Sequence, residues 1–132
     1  MTSEFVHLHN HSDYSLLDGA QKIDQLVNTI DDLNMDAVAL TEHGNMFSVL
    51  PYYKKAKKAG IKPIIGCEIY VAVGSRFEKK TRSDGGWGNN HLILLAQNFT
   101  GYKNLMKLVT ACYLEGFYSV SYTHLRAHET RE

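Results

Sequence analysis

The segment from His7 to Gly19 constrains the fold of this chain more than any other. His7, His9 and His11 alternate within it, and side chains at alternate positions of a β-strand point to one face of a sheet. Asp18 follows within a short polar turn. Mixed histidine and carboxylate ligation suits zinc, manganese or iron in a hydrolytic site. A lone histidine is more often a surface or hydrogen-bonded core residue, but three in alternation favour a metal site.

Length and charge limit the kind of protein that this chain can be. Its 132 residues suffice for one domain, whereas a complete α/β barrel takes about 250 residues. Fourteen basic residues balance 14 acidic ones, so any contact with DNA would need a local patch. We find no signal peptide and no apolar run near the roughly 20 residues of a membrane span. We therefore expect a cytoplasmic protein with no membrane partner.

The two cysteines are expected to be reduced and buried. Cys67 and Cys112 are far apart in the sequence, lie in apolar surroundings and lack Cys-x-x-Cys spacing. Neither is therefore a strong candidate for a metal ligand.

Apolar periodicity predicts a chain of alternating strands and helices. A first helix should start near Asp18 and Gly19 and bury a stripe of residues spaced three and four apart, and a last helix should do the same. The two stripes are Ile23, Leu26, Val27, Ile30 and Leu33, and Leu105, Leu108, Val109 and Cys112. A middle helix is predicted for residues 46–59, ending at Gly60. Strands are predicted at residues 5–9, 37–40, 61–71 and 91–96, and a loop at residues 74–90. This alternation is typical of an α/β fold with a parallel sheet or barrel.

Four lysines lie on the predicted middle helix: Lys54, Lys55, Lys57 and Lys58. They could contact phosphate. A solvated helix face is the better interpretation of such a cluster when it is seen in sequence alone.

Further ligand-type residues occur where the predicted strands end. The sequence Thr41-Glu42-His43-Gly44 follows the second strand, Glu68 falls within the third, and His91 opens the fourth. In parallel α/β folds the chemistry collects at one end of the sheet. His43 alone could belong to a simple turn, and His91 would need a bulge or an antiparallel pairing. Together with the histidine strand, these residues favour one multinuclear metal site.

The motifs that carry these residues resemble the opening motifs of the polymerase and histidinol phosphatase (PHP) superfamily. They are His9-Asn-His11-Ser12, Asp18-Gly19, Thr41-Glu42-His43-Gly44, Gly66-Cys67-Glu68 and His91-Leu-Ile. Further segments are similar to the N-terminal domain of the family of bacterial DNA polymerase III alpha subunits. Examples are Tyr14-Ser-Leu-Leu-Asp18-Gly19, Ile64-Ile-Gly-Cys-Glu-Ile-Tyr70 and Gly101-Tyr-Lys-Asn-Leu105. The resemblance covers residues from about 4 to 118.

This resemblance implies the N-terminal part of a PHP-type (β/α)7 barrel, incomplete here, with a cleft for three divalent metal ions. It implies metal-ligand roles for His9, His11, Asp18, His43, Glu68 and His91. His7 becomes a neighbour of the site, because only His11 is followed by the serine of the family motif. Glu42 stands where the family more often has Asp, and is expected to support His43 rather than bind metal. We assign no catalytic residue from the sequence.

The resemblance also implies a division of the chain. Residues 1–118 are expected to form a partial PHP domain, and residues 119–132 to be a non-native tail. In that tail, His124 and His128 lack the His-Glu-x-x-His order of a zinc motif. The polymerase palm, thumb and fingers have no counterpart in this sequence, so we expect the fragment alone to be inactive. The expected partners are the remaining domains of the parent polymerase and, through the parent, DNA and other replisome subunits.

Three functions remain open at this point. The first is a piece of a replicative DNA polymerase, a DNA-directed nucleotidyltransferase, whose PHP site hydrolyses phosphoesters. The second is a phosphatase of the histidinol-phosphate type that uses the same cleft. The third is a non-catalytic scaffold in which metal ions brace the polymerase.

Overall fold

The computed structural model shows a mixed sheet with helices packed against it. It describes residues 4–72, Phe77, residues 90–116 and, for the backbone alone, His124–Leu125. In chain order the elements are α1 (Ile23–Asp32), β1 (Ala37–His43), α2 (Val49–Lys58), β2 (Lys62–Val71), β3 (Asn90–Leu95), α3 (Phe99–Leu114) and β4 (His124–Leu125). The predicted α/β fold class is confirmed.

The sheet has β2 at its centre. Strands β1 and β2 pair in parallel, in a register that ends with His43 opposite Glu68. On the other side, β3 pairs with β2 in the antiparallel direction and sets His91 opposite Tyr70. The expectation of a purely parallel sheet is therefore wrong for β3. The antiparallel alternative that His91 required is the arrangement found.

The predicted first strand, residues 5–9, is not a regular strand. Its backbone follows β1, because His7 O accepts from Ala39 N at 2.8 Å and Asn10 O accepts from Thr41 N at 2.9 Å. Three residues of this segment thus match two residues of β1, as in a β-bulge. Asn10 supports the irregularity, since its side-chain amide donates to Ala39 O at 3.1 Å.

The first core lies between the helices α1 and α2 and one face of the sheet. Leu26, Val27 and Ile30 of α1 are buried here, as predicted. From α2, the buried Tyr52 donates its hydroxyl to Val38 O at 2.5 Å. Burial also raises the pKa of Tyr52 above its ordinary value.

Both helices are shorter than predicted. Helix α1 starts at Ile23 rather than near Asp18, and Leu33 lies beyond its end with 52% of its surface exposed. The chain turns there through Asn34, whose φ of 54° is left-handed. Helix α2 starts at Val49 rather than at residue 46. Before it, Asn45 Oδ1 accepts from Phe47 N at 3.1 Å and holds a turn.

The second core lies between β2 and α3. Cys67 and Ile69 from the strand pack with Leu105, Val109 and Cys112 from the helix. Both cysteines are free and buried, as predicted. Burial raises the pKa of the Cys67 thiol to about 12.

Strand β1 is longer than predicted. It continues through Thr41, Glu42 and His43, which the sequence placed after the end of the strand. The continuation follows from the parallel pairing with β2, which lasts until Glu68. In the part of the chain that the structure describes, no helix is long and apolar enough to cross a membrane.

Two predicted regions lie largely outside the described residues. Of the predicted loop at residues 74–90, the structure describes Phe77 and Asn90. Of residues 119–132, it describes the backbone of β4, which pairs in parallel with Tyr70 and Val71 of β2. The assignment of residues 119–132 as a non-native tail stays a prediction.

Candidate metal centre

The six side chains predicted as metal ligands lie in one cluster. Their nitrogen and oxygen atoms form three groups, and within each group the atoms lie within 4.8 Å of one another. The groups are His9, His11 and Glu68; His11, Asp18 and His43; and His43, Glu68 and His91. Each pair of groups shares one residue, so the three form a closed triangle.

The sheet register explains how distant segments reach this cluster. His43 lies opposite Glu68 at the end of the parallel β1–β2 pairing. Glu68 pairs with Ile93 of β3, and His91 lies two residues from Ile93 on the same strand. Because side chains two residues apart point to one face of a sheet, His91 and Glu68 face the same side. His9 and His11 enter from the irregular segment beside β1. Asp18 enters from the loop before α1.

Glu68 is the centre of the cluster. Its Oε2 lies 2.7 Å from His11 Nε2 and 3.0 Å from His9 Nε2, and its Oε1 contacts His91 Nδ1. Burial alone would raise the pKa of Glu68. The hydrogen bond with His9 and the charges of the other imidazoles outweigh burial and hold this pKa below its ordinary value.

Asp18 organises the second group. Its Oδ2 lies 2.6 Å from His43 Nδ1 and 3.3 Å from His11 Nδ1. Burial would raise the pKa of this carboxyl group, but the hydrogen bond with His43 and the charge of His11 lower it below its ordinary value. Asp18 is therefore held as a carboxylate between two imidazoles.

Glu42 ties the loop that carries the ligands to β1. It is 1% exposed and belongs to none of the three groups. Its carboxylate accepts from Ser12 N at 3.1 Å and from the hydroxyls of Ser12 and Ser15. Ser15 Oγ in turn accepts from His43 N at 2.9 Å. Ser15 therefore connects the Glu42 carboxylate to the backbone N–H of His43, and the imidazole of His43 takes no part in these hydrogen bonds.

His7 is not a member of the cluster. Its ring packs edge to face on Phe5, with 4.7 Å between the ring centroids, and it belongs to none of the three groups. The expectation that strand alternation places three histidines on one face is wrong, because the segment is not a regular strand. The role of neighbour that the family resemblance implied for His7 stays a prediction.

Tyr70 is a residue of the site that the sequence analysis missed. Its ring centroid lies 4.6 Å from that of His91 and 4.9 Å from that of His43, and its hydroxyl forms a hydrogen bond with His43 Nε2. A strand places residues i and i+2 on one face. Alternation from Glu68 was therefore the signal that could have identified Tyr70.

The donor set suits divalent metal ions. Imidazole nitrogens and carboxylate oxygens are the ligands of zinc, manganese and iron in hydrolytic sites, and each group offers three such donors, the number of protein ligands typical of a catalytic zinc site. Glu68, which is 3% exposed, sits at the base of the cluster.

Comparison with known proteins agrees with this geometry. The family model described as PHP domain matches residues 7–131. The chain belongs to the PHP domain family. As a PHP domain, it is 59% identical over 116 residues to DNA polymerase III subunit alpha of Borreliella burgdorferi, and 50% identical over 122 residues to that of Aquifex aeolicus. The alignments cover 88% and 89% of this chain. The chain spans about 10% of the length of these curated relatives.

A solved structure shares the fold of this PHP domain. It is an amidohydrolase from Chromobacterium violaceum with bound sulfate, and it superposes with a TM-score of 0.52 at 20% sequence identity. The match covers 80% of this chain and 34% of the other. At this identity the likeness concerns the fold alone.

Proposed function

We propose that this chain is a piece of a bacterial DNA polymerase III alpha subunit, and that its PHP domain hydrolyses phosphoesters at a cluster of divalent metal ions. The observation that carries the proposal is the closed triangle of donor groups in a chain 59% identical to such a subunit. DNA-directed DNA polymerisation belongs to the proposed parent, as do DNA and the other replisome subunits as partners.

We further propose the roles of the individual residues. His9, His11, Asp18, His43, Glu68 and His91 would hold the metal ions. When bound there, divalent ions lower the pKa of a water molecule and neutralise phosphate oxygens. Glu68 fixes the imidazoles around it. Asp18 Oδ2 faces Nδ1 of both His11 and His43, so these three atoms could bind one ion together. Glu42 fixes the loop, and His7 lies beside the site.

The chain alone would be a poor catalyst. Residues 1–118 would form the first part of the PHP domain, and residues 119–132 would not belong to it. Because the relatives are about ten times longer, donors from later parts of the parent can complete the metal shell. The isolated fragment is therefore proposed to be inactive or nearly so.

Metal stoichiometry tests the proposal. His11 belongs to two donor groups, whereas His9 belongs to one. After dialysis with Mn²⁺ or Zn²⁺, inductively coupled plasma mass spectrometry should find a larger loss of bound metal for His11→Ala than for His9→Ala. His7→Ala is the matched control and should bind as much metal as the wild type.

Two results would contradict the ligand assignment. Equal metal content in the wild type and His11→Ala would reject the ligand assignment, and so would an equal loss in His7→Ala.

The activity assay tests hydrolysis. It uses bis-p-nitrophenyl phosphate as the substrate and is performed on the intact parent. Metal binding without turnover there would reject hydrolysis and favour the scaffold. Turnover of a phosphomonoester alone would favour the histidinol-phosphatase type.

A further inference from the structure

A cleft of about 430 Å³ lies outside the metal centre. Its walls come from the loop that follows His11, from the start of α1 and from α2. Four lysines line it: Lys22, Lys54, Lys55 and Lys58. Sequence alone placed three of these lysines on a solvated helix face, because the opposing wall comes from residues that are distant in the chain.

The cleft carries a net positive charge. The four lysines outnumber its two acidic residues, Asp13 and Asp24. Lys55 is neutralised, since its Nζ lies 2.7 Å from Asp24 Oδ1. Within the described part of the chain, the other three lysines form no ion pair. Three exposed ammonium groups are therefore available to an anionic ligand.

Tyr14 adds an aromatic surface to the same cleft. It is 41% exposed and lines the cavity together with the lysines. A positively charged groove beside an exposed aromatic ring is the arrangement by which proteins hold single-stranded nucleic acid. The cations follow the backbone, and the bases stack on the ring.

Hydrogen bonds connect the cleft to the segment that carries His11. Asp13 N donates to Gln21 O at 2.9 Å, and the side-chain amide of Gln21 donates to His11 O at 2.9 Å. Tyr14 follows the ligand His11 by three residues, which limits their Cα separation to about 10 Å. A strand bound beside Tyr14 would therefore lie close to the metal centre.

We propose that this lysine cleft binds the sugar-phosphate backbone of a single-stranded polynucleotide, with a base stacked on Tyr14, and delivers the strand to the metal centre. This inference rests on the proposed function, because it names a polynucleotide as the substrate class of that site. The cleft binds the strand whether or not hydrolysis follows.

The test measures binding of fluorescein-labelled dT12 to the full 132-residue chain, kept soluble by a fused carrier protein. Fluorescence anisotropy gives Kd over a range of salt concentrations. Each phosphate contact with a single strand contributes about 0.7 to the slope of log K against log salt. The double variant Lys54→Gln/Lys58→Gln should lower this slope by about 1.4 and weaken binding at low salt at least about tenfold.

Matched variants separate the cleft from general charge. Lys57→Gln/Lys62→Gln removes two exposed lysines that do not line the cleft, and should change neither slope nor Kd. Tyr14→Ala should weaken binding about 5- to 100-fold, whereas Tyr14→Phe keeps the ring and should bind like the wild type. Metal content that matches the wild type shows that each variant is folded.

A second measurement covers the case in which a variant fails to fold. Photocrosslinking of the wild-type chain to dT12 carrying 5-iodouracil should map to Tyr14 or α2, and crosslinks that map elsewhere would overturn the proposal. Equal losses in the two lysine pairs, or tighter binding of a 12-base-pair duplex, would also overturn it. Binding without turnover of bis-p-nitrophenyl phosphate in the intact parent would reject the proposed hydrolysis and leave the cleft assignment standing.

Discussion

Replacing Glu42 by glutamine should loosen the loop that carries the ligands. The carboxylate accepts three hydrogen bonds, from Ser12 N and from the hydroxyls of Ser12 and Ser15. Glutamine removes the negative charge and places an amide donor where one carboxylate oxygen accepted, so the charge-assisted hydrogen bond at that oxygen is lost. Because these residues are 0 to 3% exposed, water cannot replace it. A hydrogen bond to a charged group contributes about 1.5–3 kcal/mol, so we expect a loss of about 2 kcal/mol.

Amide hydrogen exchange with mass spectrometry measures this loss, since it reports local opening without requiring a cooperative global transition. A change of about 2 kcal/mol corresponds to about 30-fold faster exchange. The effect should appear at the amides of Ser12 and His43, which bond to the Glu42 carboxylate and to Ser15 Oγ. The exposed Glu4→Gln is the control for the same chemical change. Unchanged exchange in Glu42→Gln would refute the view that this carboxylate organises the loop.

Three further predictions concern stability and the limits of the domain. Gly66→Ala should abolish the β2–β3 pairing, because the added Cβ would lie 2.6 Å from Leu94 O; retention of the wild-type circular dichroism spectrum would contradict this. Deletion of residues 119–132 should leave the melting temperature and metal content unchanged, and a decrease in either would show that these residues belong to the fold. The isolated chain should bind 8-anilinonaphthalene sulfonate and self-associate, because Leu16 is 91% exposed and Leu114 80%; a sharp melt with steady phosphoesterase turnover would argue against this.

The core was the most predictable part of the fold. Residues such as Leu26 and Val109 recur at helical spacing, and a helix with one apolar face has to pack that face against a sheet. The direction of β3 was not predictable from its own residues. An apolar run gives the same sequence pattern for a parallel and for an antiparallel strand. The connection before β3, which sets the direction of the strand, shows no apolar periodicity.

The candidate site was predicted in part. The ligand-type residues could be named from the sequence, but the selection of His9 and His11 over His7 depended on the family resemblance. The reason is the bulge between His7 and Asn10, which breaks the alternation that a regular strand would show. Tyr70 was overlooked because tyrosine within an apolar strand reads as a core residue. Its approach to His43 follows from register, which a single sequence does not show.

The triangle of donor groups also has a consequence for the order of folding. Glu68 lies 59 residues along the chain from His9, and His91 comes from a third strand. Contacts between such distant residues close large loops and form slowly. Each group takes at least one donor from a distant segment of the chain, so an unfolded chain offers a metal ion an incomplete set of ligands, such as His9 and His11 without Glu68. High-affinity capture of metal must therefore follow sheet assembly, and the ion would stabilise the finished fold instead of nucleating it.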